Sequence, residues 1–395
     1  MHIVILFMNV GSYHAARLRA AHSACQQKRW SLTAVQVTDN TLEHPWGDLK
    51  REITFPLKTL VSKTANLNYT QESAASLLPS FLDNLQPDIV VIPGWGFPVS
   101  RAALTWCKRK QVPAIVMSET KWDDETRQWW KEQLKFWLYI RQYDAALVGG
   151  ELHRDYLIKL GFPQEQIFLG YDAVDNDYFA RSARAARLDS SLARQKCPGI
   201  PTKPYFIVVT RLLQRKNVSR LVKAFTTYHQ KIGAEQAWDL VICGSGEEEP
   251  YIRNLLLENK LQGCVHLPGF IPYQALGYWY GLANAFVHPA LQEQWGLVVN
   301  EACAAGLPIL CSRTVGAAYE LVCDRQNGLL FNPESQEDMT RALLAIHQTD
   351  SASRIKMGQL SQKIVEKCSP QNFADGLLKA IDITYTMSNK KAVLV

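Results

Sequence analysis

The sequence predicts an α/β protein made of two Rossmann-like, doubly wound units. Three observations support this prediction. The chain has 395 residues, which is more than one ordinary hydrophobic core accommodates. Short apolar runs alternate with amphipathic stretches, a pattern typical of parallel strands that helices cover on both faces. One polar, basic segment interrupts the alternation near the middle of the chain and divides it into two series.

The first series lies in residues 1–175 and predicts an N-terminal domain. Helical patterns such as 14–28 and 73–85 separate its apolar runs. Because these runs are continuous, we expect strands that are buried on both faces of a parallel sheet. The predicted strands are 2–8, 32–37, 89–93, 114–117, 145–149 and 166–170.

Residues 176–203 predict a linker between two domains. This segment carries six basic residues against two acidic ones, and it ends in prolines. A second alternating series in 204–371 predicts a C-terminal domain. Its strands are expected at 205–210, 239–244, 264–269, 285–289, 308–312 and 327–331.

The first strand is followed by MNVGSYH, which holds a single glycine. Neither series opens with the G-x-G-x-x-G pattern, and a P-loop is missing too. The sequence therefore argues against a nicotinamide-dependent dehydrogenase.

Two carboxylates frame a predicted anion site in LQEQWGLVVNEACAAGLP, residues 291–308. Gly296 precedes an apolar helix that begins at about Leu297, and the free N–H groups at such a helix start attract phosphate. Glu293 lies just before that start, and Glu301 lies about one turn inside the helix. Since carboxylates accept hydrogen bonds from hydroxyls, the spacing favours a ligand with a sugar on both sides of a diphosphate.

Cationic side chains follow the first strand of the second series. Arg211 and Lys216 lie directly after residues 205–210, where they would meet the diphosphate. Gly244 and Gly246 follow the next strand, in a loop that can approach a base or a ribose closely.

Together these segments resemble the nucleotide-sugar domain of retaining GT-B glycosyltransferases, family 4 (glycosyl transferases group 1). The resemblance covers about residues 205–335 and includes the pair of glutamates separated by seven residues. It rests on TRLLQRKN, LVICGSGEEE, HLPGFIP, HPALQEQWGLVVNEACAAGLPILCSRTVGAAYELV and NGLLFNP, in the family's order.

The resemblance implies a GT-B fold, with two Rossmann-like domains facing a central cleft. It implies a retaining transfer of sugar from a UDP- or GDP-linked donor to an acceptor hydroxyl, without a cofactor or a metal. It also implies that a final helix, at about 372–388, packs back on the first domain.

The family's residue roles carry over to matching positions. Glu301 is expected to bind ribose hydroxyls, and Glu293 to contact the donor sugar. Arg211 and Lys216 are expected to hold the diphosphate and to stabilise charge on the departing nucleotide. The remaining donor-binding candidates are Gly296, Leu297, Trp295, Gly244, Gly246 and Gly11.

The N-terminal half resembles the family less closely. Gly11 fits the glycine-rich loop after the first strand, although the usual paired glycines are absent. Where relatives commonly have a histidine that contacts the donor sugar, this chain has Ser118, Glu119 and Thr120. Glu119 and His14 are therefore the candidate contacts to the sugar or the acceptor.

Composition excludes several other classes. The net charge is +6, but no basic stripe with interleaved aromatics predicts a nucleic-acid partner. No apolar stretch approaches the ~20 residues of a membrane span, and the N-terminus lacks the features of a signal peptide. We therefore expect a cytoplasmic protein.

The segment 126–142 is unusual because it mixes aromatic and basic residues: Trp129, Trp130, Phe136, Trp137 and Tyr139 with Arg127, Lys131, Lys135 and Arg141. One interpretation is a helix lying on the inner face of an anionic membrane, near a lipid acceptor. The other is that the aromatics pack on the N-terminal sheet while the cations reach solvent. We favour packing.

The preferred function is a glycosyltransferase in polysaccharide, glycolipid or glycoside biosynthesis. Two alternatives keep the fold: a nucleotide-sugar epimerase, and a relative that binds nucleotide sugar without turnover. The sequence leaves the sugar, the base and the acceptor open.

Overall fold

The computed structural model describes residues 1–39, 52–62 and 71–393, with side chains to residue 387. Its contacts divide the chain into two units. The first unit comprises residues 1–174 and the C-terminal segment from residue 368, and the second comprises residues 175–367.

Parallel strands form a single sheet in the first unit. The strands are β1 (His2–Phe7), β2 (Ser31–Thr38), β3 (Leu57–Val61), β4 (Ile89–Pro93), β5 (Ala114–Ser118), β6 (Ala145–Val148) and β7 (Ile167–Leu169). Their order is β3-β2-β1-β4-β5-β6-β7. The six predicted strands are present, whereas β3 was not predicted. It lies at the sheet edge and is only partly buried, so its sequence LKTLV lacks a continuous apolar run.

Helices cover both faces of this sheet. They are α1 (Ser12–Gln27), α2 (Gln71–Leu85), α3 (Pro98–Lys110), α4 (Trp129–Leu138), α5 (Glu151–Leu160) and the C-terminal α15 (Pro370–Val393). Successive residues of β1 point to opposite sides, as the pleat requires. Ile3 and Ile5 join the core layer under α1 and α15, whereas Val4 and Leu6 join the layer under α2 and α3. This double burial explains why the strands are continuously apolar.

The C-terminal helix α15 packs against α1, β6 and β7. Phe373, Leu377 and Ile381 are fully buried in the same core layer as Ile3. Gly376 permits the contact with the sheet, since a Cβ there would lie 2.1 Å from the carbonyl oxygen of Leu169.

A second parallel sheet forms the core of the other unit. Its strands are β8 (Tyr205–Val209), β9 (Asp239–Cys243), β10 (Val265–Gly269), β11 (Ala285–His288), β12 (Ile309–Ser312) and β13 (Gly328–Phe331), all of which were predicted. Their order is β10-β9-β8-β11-β12-β13. In both units the order reverses beside the first strand, which is the doubly wound arrangement.

The helices of the second unit complete the chain. They are α6 (Asn176–Leu188), α7 (Ser190–Lys196), α8 (Val218–Ile232), α9 (Glu249–Glu258), α10 (Tyr273–Leu282), α11 (Leu297–Ala304), α12 (Gly316–Leu321), α13 (Gln336–Gln348) and α14 (Ser351–Val365). None of the helices in the described part of the chain is both long and apolar enough to cross a bilayer.

Residues 176–203 do not form the expected linker. They fold into α6 and α7, and α6 packs against α10 within the second unit. Phe179, Ala183 and Ala186 recur at helical spacing and are fully buried. Gly281 of α10 lets the two helices approach, because a Cβ there would lie 2.7 Å from the Ala183 carbonyl oxygen. The basic residues of the segment are exposed or partly exposed, and they lie on α6, on α7 and in the loop that follows α7.

Helix α4 contradicts the packing expected for its tryptophans. Trp129, Trp130 and Trp137 are all more than half exposed. Phe136 and Tyr139, by contrast, are partly buried against the first unit's core. The structure thus separates the aromatic residues of this segment into an inner and an outer set.

We predict that Gly376→Ala destabilises the first unit, because the added methyl meets the Leu169 carbonyl oxygen. Overpacking of this kind costs about 1–3 kcal/mol. Urea denaturation of the full chain measures the effect. Gly263→Ala is the control, since nothing lies within 4 Å of its Cβ position. Equal stability of the two variants would contradict the close docking of α15.

Candidate functional site

The sequence-predicted residues of the second unit cluster where its strand order reverses. Strands β8 and β11 are neighbours, and the chain leaves them in opposite directions across the sheet. A crevice at the carboxyl ends of such strands is the usual ligand position in doubly wound sheets. The two loops are joined by hydrogen bonds from Leu291 N to the Arg215 carbonyl (2.8 Å) and from Asn217 Nδ2 to the Pro289 carbonyl (3.0 Å).

Helix α11 begins in this crevice. Gly296 precedes it with φ +99°, a left-handed conformation that side-chain-bearing residues rarely adopt. A Cβ there would lie 3.2 Å from both Glu293 Cγ and Val315 Cγ1. Leu297 and Val298, the first helical residues, are partly exposed. The free N–H groups of the first turn and the positive end of the dipole therefore face an accessible surface, which suits an anion.

A buried ion pair lies directly before that helix. Lys216, at the end of a short 3-10 helix, donates a hydrogen bond to Oε2 of Glu293. His288 Nε2 lies 3.2 Å from the same oxygen and donates to it. Only 10% of the lysine side chain and 13% of the glutamate side chain are exposed. The Glu293 carboxylate thus contacts two side chains, one from the loop after β8 and one from the end of β11.

The electrostatics keep this carboxylate ionised. Burial raises the pKa of Glu293, but the hydrogen bond from His288 and the charge of Lys216 outweigh burial and lower it to about 2. Burial lowers the pKa of His288, so the imidazole is neutral at neutral pH. Burial also lowers the pKa of Lys216, which Glu293 opposes.

Arg211 extends the positive charge toward solvent. Its side chain is exposed just after β8. The charges of Arg215 and Arg211 both contribute to the lowered pKa of Lys216, which places all three cations near one another. A diphosphate at the start of α11 would relieve this repulsion while it gained hydrogen bonds.

Gly244 and Gly246 let the loop after β9 lie directly against the loop after β8. A Cβ on Gly244 would lie 1.8 Å from the Thr210 carbonyl oxygen, and one on Gly246 2.4 Å from the Leu212 carbonyl oxygen. Backbone packing therefore accounts for both glycines. Their contact with a base or ribose stays a prediction.

The side chains of Glu301 and Trp295 are buried, so neither is exposed for contact with a ligand. Glu301 is fully buried, and its Oε2 accepts a hydrogen bond from the Tyr280 hydroxyl at 2.7 Å. Trp295 is 1% exposed, and its indole N–H donates to Asn300 Oδ1 at 2.9 Å. A ribose reaches Glu301 only if the groups that cover it move. Through its hydrogen bond to Asn300, Trp295 helps to position the start of α11.

The N-terminal candidates Gly11 and His14 form a helix start. Gly11 precedes α1, and its N–H donates to His14 Nδ1 at 3.1 Å. The same arrangement recurs before α5, where the Gly150 N–H donates to His153 Nδ1 at 3.2 Å. His153 is fully buried, so this motif serves the fold there. The geometry of His14 is that of a capping residue.

Glu119 belongs to a carboxyl cluster that the sequence did not reveal. Burial and the negative charge of Glu119 raise the pKa of Asp172 well above its usual range, and Arg17 opposes them. Arg17 Nη2 lies 3.8 Å from Asp172 Oδ1, and both side chains are buried. Burial and the charge of Glu119 thus favour the neutral form of Asp172, and Glu119 follows β5 at the position of the family's histidine.

Comparison with known families decides the identity of the second unit. Residues 190–366 match the family glycosyl transferases group 1. The second unit is a glycosyl transferases group 1 domain. The predicted membership of group 1 is therefore confirmed, whereas the retaining mechanism and family 4 stay predictions.

Curated relatives of this glycosyl transferases group 1 domain match parts of the chain. O-antigen chain mannosyltransferase B of Escherichia coli is 26% identical over 231 residues, which are 57% of this chain and 58% of that protein. Alpha-monoglucosyldiacylglycerol synthase of Acholeplasma laidlawii is 29% identical over 142 residues, 36% and 34% of the two chains. The matches span less than two thirds of either relative.

Solved structures share the fold over nearly the whole chain. A glycosyltransferase from Rickettsia africae superposes with a TM-score of 0.74 at 13% identity, covering 97% of this chain and 98% of that one. Anabaena HepE in complex with UDP-glucose gives 0.71 at 14% identity, covering 98% and 100%. Together with the two parallel sheets, these matches confirm the predicted GT-B fold.

Four residues of the site region carried no recognisable signal in the sequence. His288 lies at the end of an apolar strand and contacts Glu293, a role that the strand pattern does not predict. Tyr280 and Asp172 come from elements distant in sequence, so only folding brings them to Glu301 and Glu119. Asn217 adopts a left-handed conformation (φ +61°) at the start of α8, which its sequence neighbours do not predict.

The buried ion pair between Lys216 and Glu293 leads to a prediction about stability. Lys216→Met leaves Glu293 buried without its cation, so we expect a loss of about 3 kcal/mol in the free energy of unfolding. The double variant Lys216→Met/Glu293→Gln should lose less than the two single changes combined. Urea denaturation measures all three variants.

The exposed pair Arg253–Glu249 on α9 is the control for this cycle. Its removal should change stability by no more than about 1 kcal/mol. If the two pairs behaved alike, the buried pair would not organise the site.

Proposed function

We propose that the chain is a glycosyltransferase that moves a sugar from a nucleoside diphosphate sugar to an acceptor hydroxyl. The observation that carries the proposal is the group of cations at the accessible start of α11, within a glycosyl transferases group 1 domain. Such an arrangement stabilises a leaving nucleoside diphosphate, whose negative charge grows as the sugar departs.

Each side chain has a role in this proposal. Arg211 binds diphosphate oxygens from the solvent side, where its planar guanidinium forms paired hydrogen bonds. Lys216 has three N–H donors, so it can bind a phosphate oxygen while it still contacts Glu293. The amides of Gly296 and Leu297 supply further donors, and the helix dipole adds positive potential.

Glu293 and its neighbours orient the donor sugar. The carboxylate stays ionised, so it accepts hydrogen bonds from sugar hydroxyls. His288 fixes the carboxylate from behind. Glu301 is the proposed ribose contact, and this requires that Tyr280 yields its hydrogen bond when the nucleotide binds.

Retention of configuration and independence from metal complete the proposed mechanism. Fixed cations and a helix start can supply the charge stabilisation that a magnesium ion provides in other phosphate enzymes. The solved Anabaena HepE complexes contain UDP or UDP-glucose, which makes UDP-sugars the first donors to test. The curated relatives act, by their names, on an O-antigen chain and a glycerolipid, so a saccharide or lipid hydroxyl is the proposed acceptor.

Binding of a nucleotide sugar without turnover is the second candidate. Glu119 favours it, because this residue stands where relatives commonly have a sugar-contacting histidine, and its charge acts on the nearby carboxyl group of Asp172. Neither carboxyl group supplies a cation or a neutral imidazole for the reacting sugar.

The donor site is tested by thermal shift with UDP-glucose, other UDP-sugars and GDP-mannose. We expect one of them to raise the melting temperature, since a ligand at 100 times its Kd adds about 2.7 kcal/mol. Arg211→Met should weaken binding about tenfold, because a charge-assisted hydrogen bond to phosphate is lost. Arg325→Met is the control, since Arg325 is also exposed and lies elsewhere in the unit. Equal shifts in the two variants would contradict the site.

Turnover is tested separately, with the stabilising donor, mixed saccharide and lipid acceptors, and EDTA present. A glycoside with the donor's anomeric configuration, identified by NMR, supports the full proposal. A new nucleotide sugar would identify an epimerase instead. A thermal shift without any product would favour the non-catalytic candidate.

A further inference from the structure

Helix α4 turns its apolar side toward solvent. Trp130, Leu134, Trp137 and Leu138 recur at helical spacing and form one stripe, and Trp129 adjoins it. Their exposed fractions are 58% for Trp129, 62% for Trp130, 51% for Leu134, 56% for Trp137 and 49% for Leu138. A contiguous apolar surface of this kind marks an interaction site more often than single exposed residues do. These five residues are called the α4 face below.

A polar anchor holds the helix in this orientation. The buried residue of α4 is Glu132, which accepts hydrogen bonds from the Tyr156 hydroxyl and from Lys135 Nζ (3.0 Å). Arg127 Nη1 lies 3.2 Å from the same carboxylate, and Arg127 also donates to the Lys121 carbonyl. If the helix turned its apolar side inward, Glu132 would separate from Arg127 and Tyr156. Separating a buried charge from its partners costs several kcal/mol. The outward α4 face is therefore built into the fold.

Cations border the α4 face. Lys131 Nζ lies 5.4 Å from the Trp130 ring centroid, and the Arg141 guanidinium lies 4.3 Å from that of Trp137. Both cationic side chains are exposed. The single acidic residue between positions 129 and 142 is the buried Glu132. The face thus combines large amphipathic aromatics with positive charge.

The neighbouring helix α3 extends this surface. The Arg101 guanidinium lies 5.8 Å from the Tyr139 ring centroid, just beyond the end of α4. Phe97, one turn before Arg101, is 45% exposed. Two further aromatic residues and one further cation therefore lie beside the α4 face.

We propose that the α4 face docks on an anionic lipid bilayer. Tryptophan favours the boundary between headgroups and acyl chains, where its ring is buried and its N–H stays hydrated. The helix would lie in the membrane plane with the leucines among the acyl chains. Lys131 and Arg141 would reach lipid phosphates while their stems rest on the tryptophan rings.

Charge favours a bilayer over a second copy of the chain. In a two-fold symmetric dimer the same patch meets itself, so Lys131 and Arg141 of both copies would lie close together. Lysine is also depleted from the centres of protein interfaces. An anionic membrane would pair Lys131 and Arg141 with lipid phosphates and would also cover the apolar stripe.

Vesicle co-sedimentation of the full chain tests the proposal, with phosphatidylcholine vesicles that contain or lack phosphatidylglycerol. We expect binding to the anionic vesicles only. The triple variant Trp129→Ser/Trp130→Ser/Trp137→Ser should bind at least about tenfold more weakly. Lys131→Gln/Arg141→Gln should lose about fivefold for each cation removed.

The matched apolar control is Tyr251→Ser/Leu257→Ser/Ile355→Ser, which removes exposed side chains from the second unit. The matched charge control is Arg325→Gln/Lys356→Gln. Both controls should bind as the unaltered chain does, and unchanged circular dichroism verifies the fold of every variant. The readout is independent of sugar transfer.

Three results would overturn the proposal. Binding that ignores vesicle charge would remove the role of the cations. Equal binding by the triple tryptophan variant and its control would remove the role of the α4 face. A dimer in sedimentation velocity that the tryptophan changes dissociate, without vesicle binding, would identify the face as an interface between copies.

Discussion

The site depends on the Glu293 carboxylate, which a reversal of strand order places between two loops. It receives Lys216 from the loop after β8 and His288 from the end of β11. Its pKa of about 2 keeps it ionised at neutral pH, and its charge opposes the lowering of the Lys216 pKa by burial. Without this carboxylate, burial would favour an uncharged lysine and the crevice would lose a fixed cation. Glu293 thereby fixes the lysine beside the start of α11, whereas the net positive charge there comes from Arg211, Arg215 and the helix dipole.

The two units share a topology but differ in the chemistry at their openings. In the second unit the loop after the first strand brings cations, and α11 begins at an accessible glycine. In the first unit His14 caps the start of α1, and the loop after β5 carries Glu119, which together with burial raises the pKa of Asp172. The cations of the second unit suit an anionic ligand, whereas the carboxyl groups of the first suit hydrogen-bond donors such as hydroxyls. The fold alone does not assign these roles; the loop residues do.

Patterns of local sequence predicted most strands, because strands that are buried on both faces are continuous apolar runs. They missed β3, an edge strand whose Lys58 breaks the run. They predicted a linker at 176–203, because the basic residues of this segment obscured the apolar stripe that begins at Phe179. Local sequence could not predict the orientation of α4, because that orientation depends on a hydrogen bond to Glu132 from Tyr156 on another helix. The glutamate motif predicts a site at Glu293 and Glu301, but it does not reveal that Tyr280 covers Glu301 or that His288 supports Glu293.

A crystal structure of the chain with UDP tests the central claim most directly. The account predicts diphosphate oxygens within hydrogen-bonding distance of Lys216 Nζ and of the amides at Gly296 and Leu297, with Arg211 on the solvent side. Glu293 should still contact Lys216. A diphosphate bound away from the start of α11, with Lys216 unchanged in its pocket, would contradict the account.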